Sequence, residues 1–254
     1  MKIDSILILA AGIGSRLKPR TTTLPKCLLP LNDTNLLLNL IEQANFFIPG
    51  VKIYINISYL GEKIIEEVLK IPVHLRPRLI WELEPFGPAF SVTNFCQKNC
   101  GNTLVIHGDT YFSDQAFGNF TDNLSKLNSE ASILLCHQKR FNQSRSIVCE
   151  DNGVITSISE IGPNQLAGSS DYQDNIVWSS SGIILVRENS LRQFVPEYRV
   201  GISPSLVNYI AKNHVMIMER CIGERISVDD ENSYQSAINL QQINEKLFNR
   251  TLAH

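Results

Sequence analysis

The sequence predicts an α/β fold built on a mixed, mainly parallel sheet, with a smaller β-rich region in its second half. Two observations support this prediction. Short apolar runs alternate with segments whose apolar residues recur at helical spacing, which is typical of βαβ units. The connecting segments are short, and the sequence contains neither an internal repeat nor a linker long enough to separate two independent domains. We therefore expect a single α/β domain.

The first half of the chain supplies most of the alternation. Strands are predicted at residues 6–9, 51–57, 79–81 and 103–107. Helices are predicted at residues 36–47, 61–70 and 89–96. Strands that alternate with helices at this spacing indicate parallel strands joined by crossover connections.

The second half is richer in predicted strands. An apolar run predicts a strand at 132–136, and Asn152-Gly153 predicts the turn of a hairpin between 146–149 and 154–155. A polar loop is predicted at 162–175. The remaining predicted elements are a strand at 178–186 and helices at 190–194, 205–213 and 231–251.

Composition narrows the possible functions. Of the 254 residues 43% are hydrophobic, which is ordinary for a globular protein, and the net charge of -2 argues against a general nucleic-acid binder. No apolar run approaches the ~20 residues that span a bilayer. The N-terminal apolar stretch stops at Gly12, which is too short for a secretory signal. Among six cysteines only Cys96 and Cys100 are close, which favours reduced thiols over a zinc site. We therefore expect a cytoplasmic protein.

The segment from Leu9 to Lys26 carries the strongest functional signal. It leaves a buried strand, passes through a small-residue loop that contains Gly12 and Gly14, and ends in two cations, Arg16 and Lys26. Successive backbone N–H groups in such a loop form a concave anion site. Arginine can fork two donors onto a phosphate, whereas lysine acts as a point charge. We interpret the segment as a cradle for a nucleoside triphosphate.

Two common phosphate motifs do not fit this loop. A dinucleotide-binding loop needs a third glycine, but Leu17 and Lys18 follow Arg16. The phosphate loop of the common ATPases needs Gly-Lys-Ser/Thr, which does not follow. The spacing Gly-x-Gly-Ser-Arg-Leu-x-Pro-x-Thr-x-x-x-Pro-Lys, within a gapless match from Leu9 through Leu31, instead closely resembles the signature of the sugar-1-phosphate nucleotidyltransferases.

This resemblance, to enzymes of the mannose-1-phosphate guanylyltransferase or N-acetylmuramate-1-phosphate uridylyltransferase kind, implies a Rossmann-like nucleotide-diphospho-sugar transferase fold. It implies transfer of a nucleoside monophosphate from an NTP to a sugar 1-phosphate, with Mg²⁺ as cofactor and pyrophosphate as second product. Residues 1–130 would form the nucleotide-binding part and residues 131–254 the sugar-phosphate-binding part. Arg16 and Lys26 would be catalytic. The nucleotide contacts would come from Leu9, Ala10, Ala11, Gly12, Gly14 and Ser15.

Two carboxylates are candidates for holding the metal. Asp109 directly follows the predicted strand 103–107, and open α/β sheets bind ligands at the carboxyl ends of their strands. The family carries a Gly-Asp metal motif at about this position in the sequence, so the resemblance implies that Asp109 is a catalytic and metal-binding residue. A second family Asp, aligned on Tyr234, favours Asp229 as the other ligand and leaves Asp230 open. An acidic helix N-terminus would also explain these late residues.

The nucleobase loop of the family resembles the segment Glu82-Leu83-Glu84-Pro85-Phe86-Gly87-Pro88-Ala89. The resemblance implies that Glu84 and Gly87 contact the base, with Pro88 replacing a family threonine. A loop that enters a helix near Ala89 explains the same residues. Both interpretations remain open from the sequence.

The sugar contacts are implied by two later segments. Glu160 stands where a family segment typically reads Glu-Lys-Pro, and it would bind sugar hydroxyls, although Ile161 replaces the lysine. Ser181 and Gly182 resemble the strand entry that lines the sugar pocket.

Two other functions stay open from the sequence. The first is cytidylyl transfer to a phospho-alcohol such as phosphocholine, which an aromatic cage for the quaternary ammonium would favour. The second is a nucleotide-sensing subunit that binds without turnover, since a family fold does not guarantee chemistry. The expected partners are an NTP and a sugar 1-phosphate, without nucleic acid or membrane. The nucleobase, the sugar and a homo-oligomeric state are left open.

Overall fold

The computed structural model of the chain describes residues 2–127, 130–140, 146–160, 175–196 and 203–251, and the statements below concern those residues. The chain divides into two compact units. Unit 1 comprises Met1–Ser5, Phe86–Val105 and Asn123–Cys221. Unit 2 comprises Ile6–Pro85, Ile106–Asp122 and Ile222–His254. Each unit is therefore assembled from three separate stretches of sequence.

Strands and helices alternate through the first half of the chain, which confirms the α/β class. The strands are β1 (Ser5–Leu9), β2 (Pro30–Leu31), β3 (Thr34–Asn35), β4 (Lys52–Ile57), β5 (Arg78–Trp81), β6 (Thr103–His107), β7 (Thr110–Phe112), β8 (Ser132–Arg140), β9 (Ser146–Asp151), β10 (Val154–Glu160), β11 (Ile176–Val186), β12 (Met216–Arg220) and β13 (Arg225–Ser227). The α-helices are α1 (Leu36–Phe47), α2 (Gly61–Lys70), α3 (Pro88–Lys98), α4 (Asp114–Lys126), α5 (Asn208–Asn213) and α6 (Glu231–Thr251).

Unit 2 holds the strand order β5-β4-β1-β6. Strands β4 and β5 are parallel, with Asn56 opposite Ile80. Strand β1 buries Ile6, Leu7 and Ile8 completely, which explains its continuous apolar run, since a strand covered on both faces needs no polar alternation. A separate antiparallel pair joins β7 to β13. The carboxyl ends of β1 and β5 therefore lead into the loops that carry the predicted nucleotide residues.

Unit 1 holds the strand order β11-β8-β12-β10-β9. Strand β8 pairs antiparallel with β11 and parallel with β12. Strands β9 and β10 form the predicted hairpin, and its turn residues Asn152 and Gly153 have φ angles of 50° and 81°, as an Asn-Gly hairpin turn requires. The mixed sheet is thus confirmed, whereas a mainly parallel sheet stays a prediction.

The predicted boundaries of helices and strands agree well with the observed ones where apolar residues recur at a regular period. The predicted bounds of α1, α2, α6 and β6 coincide with those observed. The predicted helix at 190–194 is wrong, because this segment forms consecutive turns with bonds from Arg192 N to Asn189 O and from Phe194 N to Leu191 O. The predicted helix at 205–213 begins inside a π-helical stretch, Ser203–Val207, and continues as α5.

Two other observations complete the fold. The predicted loop at 162–175 lies outside the described residues, apart from Asn175. Among the described residues, none of the helices is both long enough and apolar enough to cross a membrane.

Candidate active site

The two cations and two carboxylates singled out in the sequence meet in unit 2. Lys26 Nζ donates to Asp109 Oδ2 at 2.5 Å and lies 3.5 Å from Asp229 Oδ1. Arg16 Nη2 donates to the same Asp229 oxygen at 2.8 Å. Residues separated by 213 positions in the sequence thus share one cluster. The structure therefore brings these four residues together, while their chemical roles remain predictions.

Backbone pairing explains why the two carboxylates are neighbours. Strand β13 pairs with β7 so that Ser227 lies opposite Thr110. One further bond, from Val228 N to Asp109 O at 2.9 Å, extends this contact to the residue before Asp229. The short β7–β13 ladder thereby fixes the spacing of the two aspartates.

A hydrophobic cluster in unit 2 anchors the segments that carry the site. It contains Leu17, Leu29, Leu31, Leu36, Tyr111, Val228, Tyr234 and Ala237, all nearly or fully buried. Leu17 follows Arg16 directly, and Val228 precedes Asp229 directly. Because packed side chains of this kind hold neighbouring backbone in place, the cluster orients the polar residues beside it.

The small-residue loop after β1 has a defined conformation. Gly14 has a φ angle of 66°, and a Cβ atom added there would lie 3.0 Å from Thr21 Cγ2 and 3.1 Å from Lys26 Cβ. Thr21 Oγ1 also donates to Gly14 O at 2.8 Å. A glycine is needed here for both the backbone angle and the close approach. Ala10 and Ala11 are buried, whereas Gly12 and Ser15 are exposed.

A close approach also explains the glycine beside Asp109. A Cβ atom on Gly108 would lie 2.7 Å from Leu9 O, and Gly108 N donates to that carbonyl at 3.0 Å. The end of β6 therefore rests directly on the end of β1. This contact places Asp109 beside the loop that starts at Ala10.

A second buried network links the loop to the end of β5. Asn56 Oδ1 accepts from Ala10 N at 2.7 Å, and Asn56 Nδ2 donates to Glu82 Oε1 at 3.0 Å. Both side chains are at least nine-tenths buried. Glu82 Oε2 is buried and has no hydrogen-bond partner among the described residues. Sequence reasoning named Glu84, which is exposed, and missed Asn56 and Glu82.

Charges around Asp109 set its protonation state. Burial opposes ionisation, but the positive charge of Lys26, with a contribution from Arg225, outweighs it and lowers the pKa of Asp109. The pKa of the neighbouring His107 is also lowered, because burial disfavours the charged imidazolium. The two shifts therefore favour the anionic form of Asp109 and the neutral form of His107 at neutral pH.

The local structure separates the roles of Asp229 and Asp230. Asp230 Oδ1 accepts from Ser233 N at 2.9 Å, and Ser233 Oγ accepts from Asp230 N at 2.9 Å. This reciprocal pair caps the N-terminus of α6. Asp229 instead contacts Arg16 and Lys26. The acidic helix start suggested by the sequence thus describes Asp230, and Asp229 is the residue that reaches the cluster.

The remaining predicted site residues lie in unit 1. Gly87 precedes α3 with a φ angle of 97°. Glu160 is exposed at the end of β10, and the Ile161–Pro163 segment that follows lies outside the described residues. Ser181 is fully buried, and its Oγ lies 3.0 Å from His137 Nδ1. Ser181 and Gly182 fall where the β8–β11 register shifts, an irregularity that often re-aims side chains near binding sites.

Further residues of unit 2 escaped sequence reasoning. Arg225, on β13, contributes to the field at Asp109 and His107. Arg20 donates twice to Glu231 at 2.8 Å, and its guanidinium lies 5.4 Å from the Tyr234 ring centroid. No sequence motif marks these contacts, because each joins residues that lie far apart in the sequence.

The donor chemistry of the cluster fits a magnesium ion. Mg²⁺ is usually bound through one or two carboxylates, with water and substrate phosphates completing its octahedral shell. Asp109 and Asp229 supply two carboxylates on either side of Lys26 Nζ. The described residues contain no group of three or more side chains of the His, Cys, Asp and Glu types that could hold a metal. An ion here would therefore depend on phosphate oxygens for part of its shell.

Comparison with known proteins gives the family. Residues 5–169 match the nucleotidyl transferase family, which is more than half of the chain. The chain belongs to this family, and the family resemblance predicted from the Leu9–Leu31 segment is confirmed. Over 108 residues the chain is also 31% identical to the bifunctional protein GlmU of Methanococcus maripaludis. That match covers 42% of this chain and 25% of the relative, so the chain spans only about a quarter of the relative's length.

Solved structures share the fold at lower sequence identity. A candidate glucose-1-phosphate thymidylyltransferase from Bacillus anthracis matches with a TM-score of 0.75 and 19% identity, over 93% of this chain and 94% of its own. CTP:phosphocholine cytidylyltransferase from Streptococcus pneumoniae matches with a TM-score of 0.70 and 18% identity, over 93% and 98%. The chain thus has the nucleotide-diphospho-sugar transferase type of fold.

Proposed function

We propose that this protein transfers a nucleoside monophosphate from an NTP to a sugar 1-phosphate, forming an NDP-sugar and pyrophosphate. The observation that carries the proposal is the cluster of Arg16, Lys26, Asp109 and Asp229 beside the small-residue loop after β1. Two cations suit the charge of a triphosphate, and two carboxylates suit its metal ion. Membership of the nucleotidyl transferase family supports the same reaction class.

The reaction needs no covalent enzyme intermediate and no general base. The acceptor's phosphate oxygen attacks the α-phosphorus in line, and pyrophosphate leaves. Because that phosphate is already a competent nucleophile, catalysis consists of positioning and charge neutralisation. Arg16 stabilises the departing pyrophosphate through its forked donors. Lys26 neutralises the α-phosphoryl group or the acceptor phosphate.

Asp109 and Asp229 are the residues that would hold Mg²⁺. The ion would neutralise charge on the phosphate oxygens. In the structure both carboxylates contact Lys26, so Asp109 and Asp229 would give up this contact in order to hold the ion. Lys26 and Arg16 would then be available to bind phosphate oxygens.

The remaining contacts in this proposal are those that the family resemblance implies. The backbone of Leu9–Ser15 surrounds the nucleotide, and Glu84 and Gly87 lie against the base. Glu160, Ser181 and Gly182 bind the sugar. In this scheme one catalytic domain combines a nucleotide part, about residues 1–130, with a sugar-phosphate part, about 131–254. The protein acts in the cytoplasm in NDP-sugar synthesis for cell-surface polysaccharides.

The second candidate function is cytidylyl transfer to phosphocholine. One observation favours it, since the pneumococcal CTP:phosphocholine cytidylyltransferase shares the fold over 93% of this chain. A cage of aromatic rings for the choline head would be needed. Trp178 is an aromatic residue near Ser181, but Arg220 already lies 5.4 Å from its ring centroid, which reduces its availability.

Pyrophosphate release, measured across all NTPs and a panel of hexose 1-phosphates plus phosphocholine, tests the proposal. Release with one sugar 1-phosphate and a defined NTP, lost in Lys26→Ala, supports it. Release with phosphocholine alone identifies the second function. NTP binding without release from any acceptor would indicate the nucleotide-sensing subunit. Magnesium dependence is tested in the same assay by chelation and re-addition.

A further inference from the structure

A cationic cleft lies on unit 2, away from the four-residue cluster. Its volume is about 430 Å³, within the range of small-ligand pockets. It is lined by the end of α1, by the turn that leads into β4 and by the segment that precedes β5. The charged or titratable residues that line it are Lys52, His74, Arg76 and Arg78, and no carboxylate lines it.

The two arginines of this cleft are held in place. Arg76 donates from Nε and Nη2 to Ile71 O and also from Nη2 to Leu69 O at 2.7 Å, which fixes its guanidinium at the end of α2. The Arg78 guanidinium lies 5.9 Å from the Tyr54 ring centroid, within cation–π range. Neither arginine makes an ion pair with a described carboxylate. Pre-positioned guanidinium groups bind phosphate at a lower entropic cost than mobile ones.

The cleft is distinct from the candidate active site. Lys52 begins β4 and Arg78 begins the parallel strand β5. Asn56, which contacts the nucleotide loop through Ala10, lies four residues further along β4. Four residues of extended strand span about 13 Å. The cleft therefore opens at the amino ends of these strands, whereas Asn56 and Glu82 lie at their carboxyl ends.

We propose that this cleft is a second binding site that takes a small phosphate-bearing anion. The two held arginines and the exposed Lys52, without a lining carboxylate, create a locally positive potential in a chain whose net charge is -2. The cleft volume suits a diphosphate or a phosphorylated metabolite and is too small for a nucleic-acid strand. Asn45 and His74 also line the cleft and add polar side chains that suit phosphate oxygens.

Calorimetric titration of the full chain with inorganic pyrophosphate, without Mg²⁺, tests this proposal. The titration is done in an Arg16→Ala/Lys26→Ala background, so that the candidate active site lacks its two cations. We expect one equivalent to bind, and the added substitutions Lys52→Ala and Arg78→Ala to weaken binding at least tenfold. Lys63→Ala, which removes an exposed lysine from α2, is the matched control and should leave affinity unchanged. A parallel titration with UDP shows which kind of ligand the cleft prefers. Tighter binding of UDP indicates an organic phosphate, and tighter binding of pyrophosphate indicates a free one.

Amide NMR spectra provide a second readout that does not require the Lys52→Ala and Arg78→Ala variants to be stable. In the Arg16→Ala/Lys26→Ala chain, pyrophosphate should shift the amide signals of Gly50, Val51 and Ile53. Signals of Gly12 and Gly14 should stay in place. No binding of either anion, or binding that Lys52→Ala/Arg78→Ala leaves unaltered in a chain with native circular dichroism, would overturn the proposal. Absence of turnover by the wild-type protein in the pyrophosphate-release assay would contradict the proposed function. It would not contradict anion binding in this cleft.

Discussion

Lys26 Nζ lies 2.5 Å from Asp109 Oδ2, and this pair occupies the centre of the charged cluster in unit 2. Lys26 is largely buried, with 12% of its side chain exposed, and Asp109 is 30% exposed. Lys26, which is proposed to bind phosphate, and Asp109, which is proposed to bind the metal, thus neutralise each other's charge. Because both charges are satisfied, the loop can be held in a binding-competent arrangement without leaving a buried charge unpaired.

Replacing Asp109 by alanine should abolish Mg²⁺-dependent turnover and leave the fold intact. The carboxylate is expected to hold the metal ion, and its loss also leaves Lys26 without its closest partner. Turnover at saturating substrate and far-UV circular dichroism measure the two effects. Near wild-type turnover in Asp109→Ala would remove this residue from the catalytic site.

Replacing Arg16 by lysine should lower turnover tenfold or more. Lysine retains the charge but cannot fork two donors onto pyrophosphate oxygens. A tenfold loss corresponds to about 1.4 kcal/mol of transition-state stabilisation. The measurement is kcat and KM for the NTP. An unchanged kcat with a modest rise in KM would show that Arg16 serves binding alone.

Asp229→Asn and Asp230→Asn should behave differently. Asp229 contacts the two cations, so its substitution should shift the Mg²⁺ titration of turnover to higher concentrations. Asp230 caps α6, and asparagine caps helices about as well as aspartate, so this control should keep both stability and the Mg²⁺ response. A shifted titration in Asp230→Asn with a normal one in Asp229→Asn would reverse the assignment.

Asn56→Ala should weaken both the fold and nucleotide binding. The change removes the acceptor for Ala10 N and the donor for Glu82 Oε1, which leaves buried polar groups unpaired. The expected loss in the free energy of unfolding is about 1–3 kcal/mol. Urea unfolding and KM for the NTP measure the two effects. Asn99→Ala, which removes a bond from the residue directly after α3 to Phe95 O, is the comparison and should leave KM unchanged.

Thiol labelling should divide the cysteines by exposure. Cys100 and Cys149 are exposed, whereas Cys27 and Cys136 are buried. Burial raises the pKa of Cys27 to about 12 and raises that of Cys136, so neither forms the reactive thiolate at neutral pH. Mass spectrometry after a short pulse of iodoacetamide should find label on Cys100 and Cys149 first. Labelling of Cys27 at the same rate would contradict the buried environment of the segment after Lys26.

The fold was predictable where the apolar residues of the sequence follow a clear pattern. Helix α2 carries a clear apolar face, and β1 is a continuous apolar run, so both were assigned within a residue of their observed bounds. Strand β13 was missed, because three residues with partial burial give no period to detect. The turns at 190–194 imitate one turn of a helix, and only the missing i→i+4 bonds distinguish them.

The candidate site was predictable as a set of residues but not as a geometry. The loop motif and Gly-Asp identified Arg16, Lys26 and Asp109. Asp229 and Asp230 are adjacent and chemically identical, so only their contacts distinguish them: Asp230 caps α6 through Ser233, and Asp229 pairs with Arg16. The network of Asn56 and Glu82 was missed since an isolated Asn on a buried strand carries no motif. Its role comes from a contact 46 residues away in the sequence.

The pairing of Arg16 with Asp229 has a consequence for biosynthesis. The loop emerges from the ribosome 213 residues before its carboxylate partner. At ordinary elongation speeds this interval lasts roughly 10–40 s. Throughout it Arg16 has no carboxylate partner, whereas Lys26 can pair with Asp109, which emerges 83 residues after it. The four-residue cluster is therefore among the last features to form during translation, and a chain truncated before residue 229 retains the loop after β1 without the carboxylate that completes the cluster.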